Sequence, residues 1–158
     1  MHHYALDEGL GQLVEMWLVE ATDELDEAKQ RYSVHPLTRA YAEAQVRLEE
    51  NRRFEQSARE RATMWFLNFA ESNGGYHNWD GFTMLEQELP NILAITEWCH
   101  FTGQWQVVMN FENKSANFLL NRDYWNEAIG IANWTIEAAE KLGDRRTQAV
   151  ECIAPLSW

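Results

Sequence analysis

Two short junctions limit what this chain can fold into. "FTGQW" starts at residue 101 and "NRDYW" at residue 121, and each is a turn from which an aromatic enters the next apolar-periodic run. Trp105 and Trp125 therefore stand one helix plus one turn apart. Helices joined so tightly fold back on each other, and none can hide its apolar stripe alone, so the region is expected to stack as antiparallel helical hairpins. The spacing predicts helices over 104–121 and 124–142 and an incomplete one from 145. The chain stops inside that hairpin, at "CIAPLSW", which leaves apolar surface for a second copy to cover in a homo-oligomer.

Upstream, Leu85, Leu89, Ile92, Leu93, Thr96 and Cys99 recur at helical steps and predict a helix over 83–101, with Pro90 kinking or restarting it. The stretch "SNGGYHNWDGF" separates this helix from an earlier one marked by Phe54, Ala58, Ala62, Trp65, Phe66 and Phe69. Nearer the N-terminus, Leu6, Leu10, Leu13, Val14, Trp17 and Leu18 outline an amphipathic helix near 5–18. Two β-capable pieces, 18–20 and 31–34, then flank an acidic linker over 22–27, as in a hairpin with a long polar tip. Pro36 loses nothing at a first helical turn, so it opens a helix with Leu37, Ala40, Tyr41, Ala44 and Leu48 inward.

Helix, winged hairpin, helix is the closing half of a winged-helix unit. The helices that would pack against Trp17 and Tyr41 are not in this sequence. The expected fold is thus mostly α: a partial winged helix over 1–50, followed over 51–158 by antiparallel helical hairpins of tetratricopeptide-like type.

Composition narrows the function classes. Hydrophobic residues at 46% exclude a disordered chain, and a formal net charge of -12 repels phosphate backbones and anionic lipid, so neither nucleic acid nor membrane is an expected partner. The cations between Arg47 and Arg61 are interleaved with glutamates at helical spacing, the pattern of a solvated face. Cys99 and Cys152 lie far apart in apolar helical stretches, which suggests reduced thiols in the cytoplasm rather than a disulfide or a metal knuckle. The sequons at Asn113 and Asn133 follow no signal peptide or spanning segment and are read as chance.

One junction stands apart. "YSVHPLTRAYA" runs a strand into a helix with His35 and Pro36 at the corner, and it resembles the signature that closes the winged-helix subdomain of NB-ARC proteins, the nucleotide-switched signalling ATPases. The usual form is Met-His-Asp, here occupied by Val34, His35 and Pro36; a His-Pro-Leu form is common in the bacterial branch. "LVEMWLVEATDE" and "LEQELPNILAITEWC" also resemble the bacterial proteins, and "NRDYWNEAIGIANWTIEAAEKLGD" looks like one of their tetratricopeptide-like repeats. The resemblance covers nearly the whole chain. It implies that His35 reaches a phosphate of ADP held by the nucleotide-binding domain of the same parent protein. It also implies that a protein or small-molecule ligand is sensed on the helical region. Pro36 replaces the usual Asp, so no role of that carboxylate carries over.

The chain itself holds no cofactor site. No Gly-rich loop ending in Gly-Lys-Ser/Thr occurs, so it is not expected to hydrolyse nucleotide, and Gly9-Leu10-Gly11 falls within a helical pattern. His2 and His3 lack the spacing of a zinc helix, and His77 and His100 read as surface or packing residues. Cys99 and His100 are neighbours that point apart on a helix, so they make no nucleophile and base pair. Trp65, Trp79, Trp98, Trp105, Trp125 and Trp134 are enough to line a ligand groove, but aromatics at helical spacing mostly read as core, while Trp79 in the glycine-rich break is expected to be partly exposed. Two further readings compete: a free-standing helical-repeat adaptor that binds a protein with no nucleotide role, and a small acidic enzyme using Glu86 and Glu88 or the acids over 23–27.

Overall fold

The structure, a computed structural model, describes residues 2–22 and 31–144, with side chains from residue 8 onward. The acidic hairpin tip over 23–27, the side chains of His2, His3 and Leu6, Cys152 and the expected helix from 145 lie outside the described residues. The protein is mostly α, with helix, β-hairpin and helix followed by antiparallel helices. It divides into two compact units between Gln56 and Ser57.

In the first unit, α1 (His2–Glu15) ends earlier than its apolar spacing predicts. Trp17 takes a left-handed φ of 57°, its N–H donates to the Val14 carbonyl, and the Leu18 N–H donates to the Leu13 carbonyl, each at 3.0 Å. This pair of bonds closes a helix by satisfying its last carbonyls, and it usually recruits glycine at the left-handed position. Trp17 is consequently not on the packed face; it is 84% exposed. The early stop frees Val19 to begin β1 (Val19–Ala21), which pairs antiparallel with β2 (Tyr32–Val34) in the register Val19 to Val34, Glu20 to Ser33 and Ala21 to Tyr32. Thr22 prolongs the ladder, its N–H donating to the Arg31 carbonyl at 2.8 Å while its Oγ1 accepts from the Arg31 N–H at 2.9 Å.

Helix α2 (Pro36–Val46) starts at the expected proline but buries none of its residues. Leu37 is 76% and Tyr41 67% exposed, and Ala40, Ala44 and Leu48 are exposed as well, so the stripe expected inward faces outward. Val19 is the one buried hydrophobic residue among the described residues of this unit, which leaves α2 without a core to lie on. A 3-10 turn (Glu49–Asn51) leads on to α3 (Arg52–Asn73), which crosses the division between the units.

From Ser57 onward, α3 buries Thr63, Leu67 and Ala70, with Phe66 and Phe69 half-buried beside them. Trp65, read as core, is exposed, as is Phe54; Trp65 stacks on Phe69 with ring centres 5.0 Å apart. Helix α4 (Trp79–Phe101) begins four residues before the expected start, since Asn78 Oδ1 accepts from the Gly81 N–H at 3.0 Å and caps it. It runs through Pro90 without restarting, and it buries Leu85, Leu89, Ile92, Thr96 and Cys99 as their spacing predicts.

Helices α5 (Trp105–Asn121) and α6 (Trp125–Leu142) match their expected ranges to a residue. Gly103, Asp123 and Gly143 all take left-handed φ, and in each case the next residue's N–H reaches back five residues: Gln104 to Cys99, Tyr124 to Leu119 and Asp144 to Ala139. The same closing bond thus recurs at a constant interval, which makes the turns equivalent and stacks α4, α5 and α6 side by side. Phe82, Leu85, Phe111, Phe118, Leu119 and Ile131 form the main core. Cys99, Val108 and Ala138 form a second cluster. Trp98, Trp105 and Trp134 are half-buried against this second cluster, whereas Trp125, read as core, is exposed. Trp79 is 53% exposed.

Burial pushes the Cys99 thiol above its ordinary pKa, against the smaller opposing effect of the Thr63 hydroxyl 3.8 Å away. Native protein at neutral pH should therefore leave Cys99 unmodified by iodoacetamide, and denatured protein should alkylate it readily; mass spectrometry of the 99-containing peptide checks this.

Candidate functional site

Two places merit a functional reading, one in each unit. The first is the elbow at residue 35. β2 ends at Val34 and α2 starts at Pro36, whose ring fixes the backbone direction, so His35 sits at the corner between them. It is the N-cap of α2: its Nδ1 accepts from the Leu37 N–H at 3.2 Å. That bond assigns the tautomer, because an accepting Nδ1 in a neutral ring places the hydrogen on Nε2. The ring is exposed, so Nε2–H is left as an outward donor at a helix N-terminus.

The electrostatics of the corner run against those of the chain. Despite the net charge of -12, the first turn of α2 carries no acidic residue. The positive end of the helix is therefore not cancelled locally, and an anion is tolerated there. Arg39, one turn further on and exposed, lies on the same side of α2 as His35. Sequence reasoning missed it; the i, i+4 spacing from His35 was the available signal.

The second place is a groove between α4 and α6. On α4 it is lined by Pro90, Leu93, Ala94 and Glu97, which share one face at i, i+3, i+4 and i+7. On α6 it is lined by Asn126 and Glu127, then by Gly130, Ile131 and Trp134. Its volume is about 450 Å³, open rather than enclosed. Polar contacts between the two sides bracket it. At one end the Tyr124 hydroxyl donates to Glu86 Oε1 at 2.7 Å, with Arg122 Nη1 4.0 Å from Glu86 Oε2. At the other, His100 Nε2 lies 2.8 Å from Glu137 Oε2, and the His100 ring stacks on Trp134. The carboxylate can only accept, so Nε2 carries the hydrogen, and Nδ1 is buried with no partner among the described residues.

The hydrogen bond to Glu86 holds the Tyr124 phenol above its ordinary pKa, with desolvation and the charge of Glu86 acting the same way. The folded state thus keeps the phenolic proton more tightly than the unfolded chain does. Any stability from this bond is complete below about pH 10 and fades as pH rises through the folded value, so the clamp is unaffected near neutrality.

Among the described residues the other sequence candidates have separate surroundings. Glu86 is engaged by Tyr124 and Glu88 accepts from Asn91 at 2.8 Å, so the two carboxylates have separate partners. Cys99 is buried in the core, while His100 reaches across to α6. His77 is exposed, with its ring 4.0 Å from that of Tyr76. Among the described residues no group of three His, Cys, Asp or Glu side chains could hold a metal ion, and no helix is long and apolar enough to cross a membrane.

No protein-family model matches the chain, and no solved structure matches it. Among curated proteins it is similar to the transcription activator GutR of Bacillus subtilis (strain 168), with 25% identity over 166 aligned positions. That alignment covers 99% of this chain but 19% of the relative, so the chain spans about a fifth of the protein it matches.

Proposed function

We propose that this chain is a regulatory segment of a nucleotide-switched signalling ATPase of NB-ARC type, coupling a ligand on its helical unit to an ADP-bound closed state. In this reading residues 1–50 are the end of a winged helix, and the tetratricopeptide-like helices after them receive the ligand. The observation that carries the proposal is the His35 elbow: an exposed imidazole whose Nδ1 is used by the helix and whose Nε2–H is free to meet a phosphate oxygen. The similarity to a transcription activator of much greater length supports a regulatory segment. ADP would supply the phosphate, and the rest of its site would belong to another domain of the longer protein. The segment works without a catalytic group of its own, as a lever on the equilibrium between closed and open states.

The test must separate the cap from the ligand contact, because His35→Ala removes both. Serine caps a helix well but is too short to reach a nucleotide. In the longer protein, His35→Ser is expected to keep α2 stable within about 0.5 kcal/mol yet release ADP about tenfold faster. ADP release at the parental rate would sink the sensor role. So would a flanking reading frame with no Walker lysine, which would favour the free-standing adaptor.

A further inference from the structure

The groove between α4 and α6 has a chemical bias. Its floor is apolar, formed by Leu93, Ala94 and Ile131, and its lining contains two carboxylates, Glu97 and Glu127, and no cation. Neither carboxylate has an ion pair or hydrogen bond among the described residues. Pro90, in the same lining, has no N–H to give to the Glu86 carbonyl one turn earlier, so it brings no backbone donor to this face.

Gly130 points the same way. Glycine inside a helix costs about 0.5–1 kcal/mol relative to alanine, and here a Cβ would meet nothing within 4 Å, so packing does not require it. The missing side chain instead keeps the floor open between Asn126 and Trp134, one turn to either side. A groove lined by apolar side chains, two carboxylates and no cation complements a cation carried on an apolar body.

Shape selects the occupant. The brackets at Glu86 and His100 delimit a stretch of α4 that is roughly 21 Å long at a rise of about 1.5 Å per residue. That length accepts about six extended residues. The groove is open along it, whereas small-molecule sites enclose most of their ligand. We infer that the α4/α6 groove docks a basic amphipathic peptide segment, with an apolar side chain over Gly130 and Lys or Arg groups on Glu97 and Glu127. This names the partner class of the helical unit and rests on the reading that this unit receives the ligand.

The probe is a fluorescent synthetic peptide of leucine and lysine, titrated into the full 158-residue chain and followed by anisotropy. Saturable binding is expected, with none for the analogue carrying glutamate in place of lysine or for a lysine peptide lacking leucine. The Glu97→Gln, Glu127→Gln pair should weaken binding about tenfold, and Gly130→Leu, which fills the floor in open space, by a similar factor. Glu60→Gln with Asp80→Asn removes the same charge from the same unit at residues outside the groove lining and should change affinity less than about twofold. Equal weakening by this control pair, undiminished binding by Gly130→Leu, or no binding of the leucine-lysine peptide would overturn the assignment. None of these outcomes bears on ADP release in His35→Ser, so the two readings fail separately.

Discussion

Replacing Phe118 with alanine is expected to remove about 3–5 kcal/mol from the helical unit. The side chain is fully buried where three helices meet, its ring 5.8 Å from that of Phe82 on α4 and 5.7 Å from that of Tyr124 just ahead of α6. Truncation therefore loses both the transfer free energy of the ring and the contacts around the void it leaves. Small domains are stable by about 5–15 kcal/mol in total, so the loss is a large share. Urea unfolding of the two proteins, read by tryptophan fluorescence, measures it. The effect reaches the groove as well, because Tyr124 both touches Phe118 and clamps Glu86.

Gly74→Ala should cost about 3 kcal/mol, although it adds a single methyl group. A Cβ at Gly74 would run into the backbone carbonyl of Lys114 on α5 and that of Ala70 on α3. Both are main-chain atoms and cannot swing aside as a side-chain tip would. Relief requires the end of α3 to move off α5, and the ion pair between Lys114 Nζ and Glu71 Oε1, 2.9 Å long, spans the same junction. Gly75→Ala is the matched control, since nothing lies within 4 Å of a Cβ there. Its unfolding midpoint should stay close to that of the parent while that of Gly74→Ala falls.

Local chemistry was the legible part of this chain. The turns at Gly103 and Asp123 announce themselves as short junctions, "FTGQW" and "NRDYW", each with an aromatic entering the next helix, and α5 and α6 were placed accordingly. Pro36 was equally plain, because a proline after a strand end has only the first turn of a helix to occupy. Phase and coverage were less legible. On α3, Trp65 was read as core but is exposed, whereas the small Thr63 and Ala70, which allow close approach, are buried. On α4, the glycine at 81 looked like part of a break, but it lies inside the helix with its N–H held by the Asn78 cap. The apolar stripe of α2 was read correctly as a stripe and wrongly as buried, since spacing shows which residues share a face and not what lies against it.

The two sites divide along the same line. His35 could be singled out because the corner is local: strand end, proline and cap are within three residues of each other. Trp134 was one of several tryptophans that could line a groove, but the groove could not be placed, because Pro90 to Glu97 and Asn126 to Trp134 become neighbours only once α5 has folded between them. The signals were present as two short runs, each with one face at helical spacing, but nothing local joins them.

The central claim is that the His35 ring meets a nucleotide phosphate, and the most direct measurement is its own resonance. In the longer protein labelled with nitrogen-15 histidine, the Nε2 signal assigned by comparison with His35→Ser is expected to shift on saturation with ADP and to stay in place with adenosine, which lacks the phosphates. A signal that ignores ADP while the protein demonstrably binds it would contradict the account and leave His35 a helix cap alone.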